Sequence, residues 1–214
     1  MADDSYAGSA TYTRLVTVLK DIFGMDYFLP VHQGRAAEHI LSQVLVTEGS
    51  VVPMNFHFTT TKAHIVLRGG AVEELLTPAG LEVTSTEPFK GNIDIPALRK
   101  LAAERGTAGI PFVRVELGTN LIGGQPVSLA NIREVREVCD EFGLLLVADA
   151  SLLADNLWFI KTREAEFADA SLRDITRLIA DQCAILYFPA RKVGCVRGGG
   201  ICIRSQELHD RMRP

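Results

Sequence analysis

The chain has few cysteines, four in 214 residues, with no CxxC spacing and no nearby histidine pair. That removes the basis for a structural zinc or a disulfide framework. Cys139 and Cys183 lie in apolar surroundings that suit buried free thiols, which fits a reducing cytoplasm. Basic residues are not in excess: 22 Lys and Arg against 26 Asp and Glu give a net charge of −4. With no basic stripe either, the composition argues against nucleic acid as a partner. No apolar run approaches the roughly 20 residues of a membrane span, so no membrane partner is expected. The opening MADDSYAGSATYT is acidic and polar, unlike a signal peptide. Internal repeats, low-complexity runs and Pro/Ser-rich linkers are also missing, so one domain over residues 1–214 is the economical reading. Gly198-Gly199-Gly200 comes without GxGxxG or Walker spacing, so it makes no nucleotide loop.

The composition that remains is 47% hydrophobic and 22% charged, enough for one α/β domain with a substantial core. Apolar spacing predicts helices over residues 13–23, 36–46, 95–104, 129–142 and 171–180. Ser128 is the expected N-cap of the fourth. Short apolar runs predict strands over 27–29, 50–55, 112–117, 144–149, 184–188 and 200–204. A further apolar stretch, 63–67, ends at Gly69-Gly70. His57 and His64 flank FTTTK and read as polar strand-edge residues, with a catalytic role as the alternative. Strands alternating with helices argue for a mostly parallel sheet with helices on both faces. In such sheets ligands bind beyond the carboxyl ends of the strands. His32 to Arg35, Asn120, Asp149 and Lys192 each follow a predicted strand, so they should collect along that edge.

An acid and then a lysine, each closing a buried-looking strand, is an arrangement that a pyridoxal phosphate enzyme needs. Lys192 would hold the cofactor as a Schiff base, and Asp149 would keep the pyridine nitrogen protonated. Read plainly, the pair is a strand-terminal Asp and a solvated Lys. Gln33-Gly34-Arg35 opens a helix, where free N–H groups and the helix dipole favour a phosphate; a glycine-containing cap would look the same. Phe58 could lie flat on a pyridine ring or pack in the core. Asn120 could reach a phenolic oxygen or serve only as a turn residue. Trp158 reads as helix packing, and the charges over 161–166 as a solvated face.

The segments YAGS, PxHQGRxAE, FTTT, NxxGGQPVSxAN, DA and FIKxRE, then a lysine followed by a glycine-rich strand, occur in this order. Together they resemble the β-eliminating lyases, the tyrosine phenol-lyase and tryptophanase family, from about Tyr6 to the chain end. The resemblance implies a fold type I pyridoxal phosphate domain with an N-terminal arm of about residues 1–12, working as a dimer or tetramer. It also implies a C-terminal small domain that this sequence does not contain. By position it makes Lys192 the Schiff-base lysine, Asp149 the pyridinium partner, Phe58 the stacking ring and Asn120 the contact to the phenolic oxygen. Gln33, Gly34, Arg35 and Arg191 would hold the phosphate. Tyr6 matches a general acid that reaches a neighbouring subunit's site, and Thr59 matches a contact to a phenol leaving group. The implied reaction is β-elimination of an aromatic L-amino acid, tyrosine to phenol or tryptophan to indole, giving pyruvate and ammonia.

Several positions depart from the family's pattern. Leu152 stands for an arginine, Pro189 for a phosphate-binding serine, and Val193 for an acid. Asp4 matches a glutamate at a monovalent-cation site, but Arg197 replaces an asparagine there, and a cation beside it is unfavourable. Potassium is therefore doubtful, and no metal is expected otherwise. Two further readings stay open: a truncated or degenerate cofactor-binding or oligomerisation module without catalysis, and another fold type I enzyme such as an aldolase.

Overall fold

The computed structural model describes residues 9–194 and 196–213. In chain order the elements are α1 (Ala10–Phe23), β1 (Tyr27–Val31), α2 (Gly34–Leu45), β2 (Val51–Met54), α3 (Thr59–Leu67), β3 (Ala71–Glu74), α4 (Pro78–Leu81), α5 (Ile95–Gly109) and β4 (Val113–Glu116). Then come α6 (Leu129–Phe142), β5 (Leu146–Asp149), α7 (Leu153–Arg163), α8 (Leu172–Gln182), β6 (Ile185–Pro189), α9 (Ala190–Val193), β7 (Gly199–Ile203) and α10 (Gln206–Met212).

Local chemistry sets several boundaries. Ser128 accepts from the Asn131 amide and starts α6, as its sequence position predicts. Ser171 and Asp174 form a reciprocal capping box on α8. Gly24 and Gly143 end α1 and α6 at φ 69°, a left-handed conformation that glycine adopts without strain.

The seven strands run in the order β1-β7-β6-β5-β4-β2-β3. Strands β6, β5, β4, β2 and β3 are mutually parallel, and β7 is antiparallel to both its neighbours. The period-two alternation of strand side chains separates two cores. One gathers Val113, Val115, Leu146, Ala148, Leu186 and Phe188 with apolar residues of α1 and α5 to α8. The other gathers Val52, Met54, Val147, Ile185, Tyr187 and Ile201 with residues of α2, α3 and α10. Both faces are thus covered, as expected for a parallel sheet.

Four readings need correction. Residues 63–67 belong to helix α3, whose nine residues start at Thr59, so His64 does not edge a strand, whereas His57 follows β2 and pairs with Glu74 of the edge strand β3. A stretch this short carries too few apolar positions to separate a period of 3.6 from one of 2. The edge strand β3 and the terminal helix α10 were not anticipated; β3 has no fully buried residue and hence no apolar signal. Trp158 does lie on α7, but it is 56% exposed, so it packs little. The charges over 161–166 are more than a solvated face: Glu164 caps α6 by accepting from the Leu129 amide at 2.7 Å, and Lys161 donates to the carbonyls of Ala168 and Ala170. Cys139 and Cys183 are buried as expected, and burial pushes both thiols up to about 12.

Candidate active site

The carboxyl ends of β1 and β6 open onto a cleft of about 540 Å³, within the usual range for small-ligand sites. One wall is the turn His32-Gln33-Gly34-Arg35, where α2 begins. Gln33 makes no side-chain cap, so the first turn of α2 keeps free donors. Gly34 allows close approach: a Cβ there would stand 3.2 Å from the Cβ of Pro189. The facing wall is α9, immediately after β6, which carries Arg191 and Lys192. Phe58 closes one side, and the Lys192 Nζ lies 5.7 Å from the centre of its ring. Arg35, Arg191, Lys192 and Arg197 give the cleft four cationic side chains.

Against them stands Glu38, one turn into α2 and 6% exposed. Its Oε1 accepts from the Thr61 hydroxyl at 2.6 Å, while its Oε2 is buried without a hydrogen-bond partner. An orphaned carboxylate oxygen on the wall of a cationic cleft suits a bound group that brings its own donor. The sequence reading passed over Glu38, although it stands three and four residues before Leu41 and Ser42, on the buried face of α2.

Gln33, Gly34, Arg35, Phe58, Arg191 and Lys192 are therefore brought together. Asp149, Asn120 and Thr59 do not line this cleft; Ser151, two residues beyond Asp149, and Thr60 do. Asn120 is exposed in a short 3₁₀ turn, with its amide donating to Glu116 Oε1 at 3.0 Å. Tyr6 and Asp4 lie outside the described residues. Leu152 precedes α7 and makes no side-chain cap there.

Asp149 belongs to a buried row. Glu116, Asp149 and Tyr187 stand at matching register on β4, β5 and β6, and Arg114 joins them from two residues before Glu116 on the same face. Arg114 Nη2 donates to Asp149 Oδ2 at 2.5 Å and to Glu116 Oε2 at 3.1 Å, and its Nε donates to the Tyr187 hydroxyl at 3.0 Å. Tyr187 in turn donates to Asp149 Oδ2 at 2.8 Å, and the Ser151 amide donates to Oδ1 at 2.9 Å. Burial pushes the Tyr187 hydroxyl well above its ordinary value, so it stays a neutral donor. Burial also raises Glu116, with Arg114 opposing. For Arg114 burial pulls down, but Tyr187, Asp149 and Glu116 outweigh it and hold the guanidinium well above its usual value.

The profile of the beta-eliminating lyase family matches residues 1–213. The chain belongs to that family. This lyase-family chain is 37% identical over its whole length to tyrosine phenol-lyase of Intrasporangium calvum, and 38% identical over 98% of its length to tyrosine phenol-lyase of Pasteurella multocida. It spans only 45% and 46% of those proteins, about half the length of the curated relatives it matches. Among solved structures it resembles a chain from Exiguobacterium sp. 255-15 described as an aromatic amino acid beta-eliminating lyase/threonine aldolase (TM-score 0.68, 19% identity, 99% of this chain and 54% of that one). It also resembles a serine palmitoyltransferase from S. paucimobilis with bound PLP (TM-score 0.64, 12% identity, 96% of this chain and 44% of that one). The fold of the lyase-family chain is thus the fold type I α/β arrangement. No described helix is long and apolar enough to cross a membrane.

Proposed function

We propose that this chain forms the pyridoxal phosphate-binding half of a carbon–carbon lyase acting on an aromatic L-amino acid. L-tyrosine would give phenol, or L-tryptophan indole, with pyruvate and ammonia as the other products. The observation that carries the reading is Lys192 facing Phe58 across a cleft whose far wall is a cationic helix N-terminus. The first turn of α2 with Gln33, Gly34 and Arg35, together with Arg191, suits a phosphate. Phe58 offers a flat face for an aromatic ring. Asp149 would serve the ring nitrogen, Asn120 its hydroxyl, and Lys192 the aldehyde.

Pyridoxal phosphate, when bound, supplies an aldehyde that captures amines and a ring that withdraws electrons. Lys192 would hold that aldehyde, and its amine would take the proton from the substrate α-carbon. Tyr6 is the candidate donor of the proton that the departing aromatic carbon gains, and Thr59 the candidate contact to a phenol hydroxyl. In this reading the chain works as a homodimer or homotetramer in the cytoplasm, and Arg197 disfavours a potassium site. A second reading, a cofactor-binding module without catalysis, is favoured by Leu152 and Pro189, which remove an arginine and a hydroxyl donor. The Asp149 and Lys192 pair is equally compatible with an aldolase, and the description of the Exiguobacterium chain supports that reading.

Reconstitution with pyridoxal phosphate tests the proposal. A visible absorbance band should form, and borohydride should fix the cofactor to Lys192 as a secondary amine detectable by mass. Both should vanish in Lys192→Ala. Pyruvate release from L-tyrosine or L-tryptophan then separates lyase from module, and glycine release from threonine marks an aldolase. Failure of the native chain to form the Lys192 adduct would reject the proposal.

A further inference from the structure

We propose that His39 on α2 and His64 on α3, with the side-chain oxygen of Gln43, form a binding site for a late first-row divalent cation such as zinc or copper(II). The site lies outside the cleft, and it does not depend on the cofactor reading.

The packing of α2 on α3 brings the two imidazoles together, with ring centres 5.2 Å apart and planes at 63°. A shared ion accounts for that distance. An ion about 2.1 Å from one nitrogen of each ring lies about 3.2 Å from each ring centre, and a tetrahedral angle then separates the centres by about 5.2 Å. Gln43 stands one turn after His39, and its Nε2 lies 3.4 Å from His39 Nε2. That is long for a hydrogen bond. It matches the separation of about 3.4 Å between two ligands of one tetrahedral ion. With the amide turned over, the same position holds an oxygen. Among the described residues no group of three or more His, Cys, Asp or Glu side chains could hold an ion, so the third protein ligand is an amide and water fills the fourth position. His57 and His209 each lie beside a carboxylate, Glu74 and Asp210, whereas His39 and His64 face each other. Glu38 lies in the same seam between the helices, bonded to Thr61 and with Oε2 lacking a hydrogen-bond partner, and its negative charge favours a cation nearby. Imidazole nitrogens suit zinc, copper and nickel over magnesium or calcium, which take oxygen ligands. The ion would tie α2, which starts at Gly34, to α3, which Phe58 precedes, and so hold together two walls of the cleft.

The test uses the full chain without a histidine tag, stripped of metal by a chelator and titrated with zinc. One equivalent should bind, and the thermal midpoint should rise with zinc, because the site exists only where α2 and α3 are packed. His39→Ala and His64→Ala should each weaken binding at least about tenfold, since losing even a group that only orients a ligand costs about ten- to a hundredfold. Gln43→Ala should weaken it less, His57→Ala should leave it unchanged, and excess magnesium should not compete. Copper(II) gives a second readout: its electron paramagnetic resonance spectrum should show two coupled imidazole nitrogens in the wild type and one in His39→Ala. The wild-type count decides the matter even where a variant does not fold. No zinc binding by the wild type, unchanged binding in His39→Ala and His64→Ala, or loss of the ion from a folded His57→Ala each overturns the proposal. So does a wild-type copper spectrum with fewer than two such nitrogens. None of these outcomes touches the Lys192 adduct, on which the cofactor reading stands or falls.

Discussion

The cleft between α2 and α9 and the buried row beneath it use charge in opposite ways. Arg35, Arg191, Lys192 and Arg197 line an open cavity beside a glycine-containing turn. Arg114, Glu116, Asp149 and Tyr187 are at most 2% exposed and bonded to one another. Open cations beside a cradle wait for an anion, and little of the fold should depend on them. A closed network is held by its own members, and each loss strands a charge in low dielectric. The two regions meet at Asp149 and Ser151: the acid belongs to the row, and the residue two places on belongs to the cleft.

The sharpest way to break this contrast is Arg114→Met. It leaves the Asp149 and Glu116 carboxylates buried without their cation, which should cost about 3–5 kcal/mol in urea unfolding. A loss below about 1 kcal/mol, the level of an exposed ion pair, would mean that the row is as wet as the cleft. Next in size is Pro189→Ser, on the cleft side. Pro189 ends β6 against Gly34, and a serine there would add a hydroxyl donor facing the anion-binding turn. Pyridoxal phosphate should bind about tenfold more tightly, about 1.4 kcal/mol, in a fluorescence titration. Unchanged affinity would show that the phosphate does not lie beside Pro189.

The two regions were unequally legible in the sequence. The cleft was readable because its parts follow strand ends and sit at a helix start, which local pattern reveals: His32 to Arg35 after β1, Lys192 after β6. The row was not, because it depends on register between distant segments; Arg114 and Tyr187 are 73 residues apart, and Arg114 and Asp149 are 35 apart. A signal was nevertheless present. Val113-Arg114-Val115-Glu116 alternates as a half-exposed strand would, yet it lies within a parallel sheet covered on both faces, where two charged side chains must be buried and must find partners. Glu38 was hidden similarly, a carboxylate on the apolar face of α2 whose hydroxyl partner, Thr61, comes from α3. Helix α3 itself was too short to announce its period.

A smaller effect separates the two regions by pH. Burial raises Glu116, with Arg114 opposing, so the folded chain holds that proton more tightly than the unfolded chain does. The stability tied to it is present at low pH and is lost as pH rises through the raised value. Glutamine stays neutral throughout. Glu116→Gln should therefore gain on the parent protein as pH climbs from acid to neutral, in thermal melts at a series of pH values. A gap that widens instead would mean that the ionised carboxylate is the favoured folded form and that Arg114 outweighs burial.

The smallest expected effect tests the cleft as a place where the fold depends little on its cations. Lys192→Ala should abolish the fixed cofactor, yet change the unfolding free energy of the cofactor-free protein by no more than about 1 kcal/mol, since an exposed side chain with one weak contact carries little stability. Lys192 is exposed on a four-residue helix, and its recorded partner is the face of Phe58 at 5.7 Å, a separation at which an exposed cation–π contact contributes about 0.5–1 kcal/mol at most. A gain in stability would have its own meaning: four like charges around one cleft repel one another, and removing one would relieve a strain that the bound anion otherwise offsets. A loss of 2 kcal/mol or more would place Lys192 inside a structural network, and the division between open cleft and closed row would fail at the residue on which the chemistry depends.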